Sequence, residues 1–282
     1  MKAFTVAVAI LTGVLTVAGV AGQTRNVRVG FCTQLANIEA AKAAGFDYVE
    51  LSTSEIAGLS DEDFARAAAR IRENGLPVPA MNLFLPAALK VTGPAIDRDQ
   101  QMTYVKRAFA RQQQLGTTIV VFGSGGARRV PDGFSKEEGF QQLVDFGRRI
   151  APEAKARGIT VAIEPLRPEE TNIINSAAEG LSLVNAIGDP NFQLMVDFYH
   201  LASVKEDPSI IVRARDHIRH LHMANPQGRV FPRDASEYDY APFFAALRTI
   251  GYDGHISVEA SAKDLKTDAP PAIALLRGAF RP

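Results

Sequence analysis

Apolar runs of strand length alternate eight times with longer helix-patterned stretches along this chain, and that alternation leaves few folds open. The runs are NVRVGFC (26–32), DYVELS (47–52), PVPAMNLF (77–84), TTIVVFG (117–123), ITVAIEP (159–165), FQLMVDF (192–198), IRHLHMA (218–224) and HISVEA (255–260). Between them the clearest predicted helices cover 61–74, 98–115, 136–157 and 242–250, each followed directly by a glycine: Gly75, Gly116, Gly158 and Gly251. A helix that stops on glycine and hands over to a β-branched run is the αβ half of a βαβ unit. Eight such units in about 260 residues predict an α/β protein, a closed (β/α)8 TIM barrel in one domain over 26–282, because roughly 250 residues is typical of that fold. A doubly wound open sheet is the alternative. It is disfavoured because no strand runs into a GxGxxG turn.

The chain has 282 residues, 46% of them hydrophobic and 22% charged, with a formal net charge of zero. That balance suits a large core and gives no long-range attraction for nucleic acid or anionic lipid. Residues 1–22 differ from the rest. Met1 and Lys2 precede an apolar stretch from Ala3 to Val20, with the small residues Ala21 and Gly22 at its exit. This is the pattern of a secretory signal peptide, and it predicts export to the periplasm without stable membrane association after cleavage. An uncleaved anchor is the alternative, since about 18 apolar residues just span a bilayer. The single Cys32 has no internal disulfide partner and reads as a buried strand thiol.

Four of the apolar runs end on a residue that can bind a metal: Glu164, Asp197, His222 and Glu259, on the fifth to eighth strands in unbroken order. An ionised carboxylate at the tip of a buried strand needs a partner. In a parallel barrel all strand C-termini open on one face, so the fold would gather these tips in one mouth. Three carboxylates and one imidazole form a hard, oxygen-rich set suited to one divalent ion, Mn²⁺ or Mg²⁺ first, with Co²⁺ or Zn²⁺ tolerated. Such an ion can hold two adjacent sugar oxygens and stabilise the enediolate formed when the carbon next to a carbonyl loses its proton. Glu164 and Glu259 are the natural acid–base pair for that proton.

With IEPL, DFYH, HLHMANPQGR and LRTIGYDGHISVE, the chain resembles the xylose isomerase-like TIM barrel family, which includes sugar isomerases and epimerases of the D-tagatose 3-epimerase and hydroxypyruvate isomerase kind. The resemblance covers the whole chain after the leader. It implies that Glu164, Asp197, His222 and Glu259 are the metal ligands and that Glu164 and Glu259 also exchange the substrate proton. It further implies that His200 and Arg229 bind substrate oxygens, that Glu170 is an acidic residue near the reacting end, and that dimers or tetramers are to be expected. Asn225 stands where many relatives carry an acidic residue, so a contact around the ligands is expected to differ. An exported enzyme meets free sugars, keto-sugars or glycosides rather than sugar phosphates.

Other segments leave their roles open. The loop FGSGGARRVPDGF reads either as an anion nest with Arg128 and Arg129 or as a mouth loop whose arginines face solvent. Asn172 and Asn175 either bind sugar hydroxyls or cap the helix starting near Ser176. His220 shares strand parity with His222 and is expected one layer deeper, as a hydrogen-bonded core histidine. His217 and His255 fall near strand starts. Phe31, Phe84, Phe122 and Phe198 either wall the pocket or pack the core. Three functions remain: a metal-dependent ketose isomerase or epimerase, a lyase or hydrolase that cleaves keto-glycosides after the same proton abstraction, and a sugar-binding barrel without catalysis.

Overall fold

In the computed structural model, which describes residues 27–280, eight parallel strands close into a barrel in sequence order. They are β1 (Arg28–Thr33), β2 (Tyr48–Ser52), β3 (Ala80–Asn82), β4 (Ile119–Phe122), β5 (Thr160–Ile163), β6 (Phe192–Asp197), β7 (Ile218–Met223) and β8 (His255–Val258). The barrel closes where β1 pairs with both β2 and β8. The expected single-domain barrel is therefore the fold, and the open sheet is excluded. The leader expected over 1–22 lies outside the described residues.

Helices cover the outside of the strands. Those read from the sequence stand at Asp61–Asn74, Arg98–Gln114, Lys136–Lys155 and Ala241–Ile250. Gly75 and Gly251 end two of them in the left-handed region, at φ 81° and 73°, where a side chain would be strained. The third strand is much shorter than its apolar run. Pro77 and Pro79 offer carbonyls to Val49 and to Thr118 and Ile119, but neither has an N–H to donate, so the regular ladder begins only at Ala80. Leu83, at φ 47°, turns the chain away directly after Asn82.

The barrel interior is filled unevenly. Val121, Ala162 and Met195 form a small, fully buried apolar plug on the β4–β6 side. On the opposite side the inward positions hold Tyr48, Glu50, His220 and Ser257, all fully buried and joined by hydrogen bonds. Side chains alternate across a strand, so the residue two places further on faces inward again, one layer nearer the mouth. Ala162, Met195, His220 and Ser257 are followed in this way by Glu164, Asp197, His222 and Glu259. A register shift between β6 and β7 makes Arg219 the extra residue. It lets Met195 face His220 and Asp197 face His222.

Tyr48 is seated on Gly30 of β1, where an added β-carbon would stand 2.1 Å from the ring. The ring cannot yield easily, because its hydroxyl is bonded to Ser257 at 2.8 Å and its edge packs on His255 at 5.1 Å. Gly30→Ala is therefore expected to destabilise the fold by about 1–3 kcal/mol, the usual cost of overpacking a core. A urea titration showing an unchanged midpoint would refute this account of the barrel floor.

Candidate metal centre

Each of the four strand tips is delivered by its strand. Glu164 directly follows β5, Asp197 is the last residue of β6, His222 lies inside β7 and Glu259 directly follows β8. One ligand atom from each lies within 4.8 Å of every other. His222 Nδ1 sits 3.2 Å from Glu164 Oε1 and 3.5 Å from Glu259 Oε2. Asp197 Oδ1 accepts the N–H of Tyr199 at 2.8 Å, starting the short helix Phe198–Ser203. Its other oxygen, Oδ2, is buried with no hydrogen-bond partner and faces His200 Nε2 at 3.6 Å. A buried, unpartnered carboxylate oxygen is costly, and it points here to a cation as the missing partner. Hard oxygen donors with one imidazole fit a divalent ion of the Mn²⁺ or Mg²⁺ type.

The electrostatics agree. Burial, then the charges of Glu259 and Glu164, push the Asp197 carboxyl up to about 8. Burial and the Glu259 charge also raise Glu164. Burial acts on Glu259 in the same direction, but His222 and then Arg229 outweigh it and hold its carboxyl down at about 2. Without a bound cation, the cluster keeps its charges tolerable by retaining protons.

Arg229 reaches the cluster from the loop after β7. It pairs with Glu259, contacts Glu170 Oε1 at 3.2 Å and approaches Asp197 Oδ2 at 3.9 Å, while its guanidinium lies 4.6 Å from the Tyr199 ring centre. Its backbone is in the left-handed region at φ 50°, where Ser261 N–H donates to the Arg229 carbonyl at 3.0 Å and Asn225 N–H to the Val230 carbonyl at 2.8 Å, while the Asn225 side chain accepts the N–H of Gln227 and donates to Glu237. Asn225 thus shapes the arginine loop. Glu170 stands at the mouth between Arg167 and Arg229. His200 is buried behind Asp197, with Nδ1 accepting the Arg167 N–H at 3.2 Å and Nε2 3.9 Å from Glu170. Above the cluster opens a cavity of about 800 Å³ whose lining includes Asn82, Glu164, Glu170, Arg229, Glu259 and Ser261.

Several secondary expectations need correction. Arg128 is neither in an anion nest nor in solvent. It is fully buried, donates to the Glu164 carbonyl at 2.6 Å and to the Phe122 carbonyl at 3.3 Å, and burial pushes its pKa down to about 10. Only Arg129 is exposed, and it donates to the Glu169 carbonyl. Asn172 pairs with both backbone groups of Val130, and Asn175 donates to the Leu166 and Thr171 carbonyls. Both asparagines pin the loop, and the helix cap is Ser176 itself. Cys32 is not a buried thiol but half-buried at the mouth, with Sγ 3.7 Å from His222 Nε2. Phe31, Phe84, Phe122 and Phe198 all pack in the core.

Two residues near the ligands, Gly123 and Glu50, carry roles the sequence did not suggest, and so does Arg128 in its corrected place. Gly123 leaves room for Glu164, since a β-carbon there would stand 2.2 Å from Oε2. Arg128 anchors the Glu164 backbone. Glu50 accepts hydrogen bonds from both His220 and His222, and its signal was a carboxylate inside the apolar run DYVELS.

A closed barrel that gathers three carboxylates and one imidazole at its C-terminal mouth defines a class of TIM barrels with an acidic centre. Within that class the chain belongs to the xylose isomerase-like TIM barrel family, whose profile matches residues 38–279. It is 27% identical over 237 residues to the L-ribulose 3-epimerase of Mesorhizobium japonicum, covering 79% of this chain and 74% of that one. It is 25% identical over 251 residues to the ketose 3-epimerase of Arthrobacter globiformis, covering 87% and 82%. The fold matches that of D-psicose 3-epimerase from Clostridium cellulolyticum H10, solved with D-tagatose, at a TM-score of 0.79, 20% identity and coverage of 91% and 100%.

Asp197 gives a pH test. Its carboxyl is raised from 3.8 in the unfolded chain to about 8 in the fold, so between these values the folded state binds a proton that the unfolded state has released. Stability of the metal-free protein should therefore fall as pH rises through this window. Thermal melts in chelator at pH 5 and pH 8 should show the loss in wild type and a smaller one in Asp197→Asn. Equal losses in the two proteins would contradict the assignment.

Proposed function

We propose that this protein is a divalent-metal-dependent ketose epimerase or isomerase that moves a proton on the carbon next to a carbonyl. The carrying observation is the pair Glu164 and Glu259, which flank one cavity floor with their pKa values pushed in opposite directions. Two carboxyls tuned apart are the usual arrangement for dividing acid and base duties. The names of the relatives, L-ribulose 3-epimerase and ketose 3-epimerase, support a ketose substrate and proton exchange at C3.

A divalent ion held by Glu164, Asp197, His222 and Glu259 would supply Lewis-acid stabilisation of negative charge on adjacent substrate oxygens. One glutamate, ionised, takes the proton from the carbon on one face. The other, protonated, returns a proton to the opposite face, which inverts the centre. Arg229 keeps Glu259 ionised and, with Glu170 and His200, orients sugar oxygens. The cavity above Glu164 and Glu259 gives the sugar a place to bind with its reacting carbon beside both carboxyls.

Elimination from a keto-glycoside would begin with the same proton transfer, but the relatives are epimerases and isomerases, and the epimerase reading is preferred. Export, read from residues 1–22, belongs to the proposal, and with it an unphosphorylated sugar.

Incubation of a panel of ketoses with Mn²⁺-loaded enzyme in D₂O tests the chemistry. Deuterium should enter the carbon next to the carbonyl in an otherwise intact sugar. Glu164→Gln and Glu259→Gln should each lower kcat by about 10²- to 10⁴-fold, the usual worth of a positioned acid or base. Full turnover in both variants, or release of an aglycone in place of exchange, would reject the mechanism.

A further inference from the structure

His222 has two ring nitrogens, and they face different surroundings. Nδ1 points to Glu164 and Glu259 in the carboxylate cluster, whereas Nε2 lies 2.9 Å from Glu50 Oε1 on the far side of the ring. Glu50 is fully buried in the second strand and belongs to none of the duties assigned above. Its other oxygen, Oε2, is held by His220 Nε2 at 2.7 Å and by the Ser257 hydroxyl at 2.6 Å. Ser257 in turn accepts the Tyr48 hydroxyl at 2.8 Å, and Tyr48 is clamped against Gly30.

We propose that Glu50 is the positioning residue of the metal centre: it accepts the Nε2–H of His222 and so fixes the tautomer and ring plane that turn Nδ1 toward the ion. The inference rests on the reading of Glu164, Asp197, His222 and Glu259 as a metal site.

The geometry leaves Glu50 little freedom. A carboxylate only accepts, so His222, His220 and Ser257 must all direct protons toward it. A neutral imidazole that carries its proton on Nε2 has its lone pair on Nδ1, the nitrogen aimed at the cluster. The nearest rival for Nε2 is Cys32, whose sulfur is 3.7 Å away and a much weaker partner than the carboxylate oxygen at 2.9 Å. Glu50 is braced by Ser257 and Tyr48 from the barrel floor, so the orientation of His222 is set by the packed interior and not from the cavity side. Carboxylate partners of metal-binding histidines commonly change metal affinity by about 10- to 100-fold when removed.

The test titrates Mn²⁺ into metal-stripped wild type and Glu50→Gln, reading free Mn²⁺ by electron paramagnetic resonance, with a thermal melt to show that each is folded. Glu50→Gln should bind with a Kd raised about 10- to 100-fold. A residue that merely fills the barrel would lower the melting temperature and leave the Kd of the folded protein unchanged. An unchanged Kd overturns this inference while the metal reading stands. Wild type that takes up neither Mn²⁺ nor Mg²⁺ overturns both. Should Glu50→Gln fail to fold, ¹⁵N-histidine spectra of Mg²⁺-loaded wild type decide the matter alone. They should show His222 protonated on Nε2; a proton on Nδ1 in that state overturns the inference.

Discussion

The interaction on which the rest of this structure depends is the mutual repulsion of three carboxyls around one imidazole edge, those of the buried Glu164 and Asp197 and the half-buried Glu259. Like charges this close inside a protein cannot all ionise without a compensating cation. The chain meets that constraint only in part. Arg229 and His222 keep Glu259 ionised, while Asp197 retains a proton up to about pH 8 and leaves one oxygen without a hydrogen-bond partner. A divalent ion would complete the compensation and release that proton, so folding has prepared a site that is electrostatically unfinished.

The scaffold supplies what such a site needs, a rigid floor and a fixed approach. The apolar plug of Val121, Ala162 and Met195 supports Glu164 and Asp197 from below, and the hydrogen-bonded floor of Tyr48, Glu50, His220 and Ser257 supports His222 and Glu259. Above the ligands, the strained Arg229 loop brings a cation to the edge of the cavity. Left-handed backbone at a non-glycine residue persists only when its surroundings enforce it, and here backbone bonds from Ser261 to Arg229 and from Asn225 to Val230 do so.

Much of this was legible in the sequence because it is periodic. Eight strand-helix alternations specify a barrel, and parity along β5 to β8 places Glu164, Asp197, His222 and Glu259 on one inward face at one height. His220 was readable as a deeper core histidine by the same parity, and the structure bonds it to Glu50. What escaped notice depends on long-range contacts. Arg128 lies in a Gly-rich loop that looks solvent-facing, yet a short turn of helix folds it beneath Glu164. Glu50 carries no local signal of its role, because its partners stand 170 and 172 residues away. A carboxylate in an apolar run needs a partner, and that holds for Glu50 in DYVELS as well as for Glu164, Asp197 and Glu259. The third strand was overestimated because two prolines fit an extended run but cannot donate to its ladder.

Membership of the xylose isomerase-like TIM barrel family and the ketose 3-epimerase relatives accord with the proposal that this site would take a divalent ion beside its two glutamates. The proposed ion has one expected location, between the four strand tips. Anomalous diffraction from a Mn²⁺-loaded crystal tests it most directly. A single peak bounded by Glu164, Asp197, His222 Nδ1 and Glu259 is the expected result. A peak at Cys32 and the Nε2 edge of His222, or none in the barrel mouth, would contradict the account.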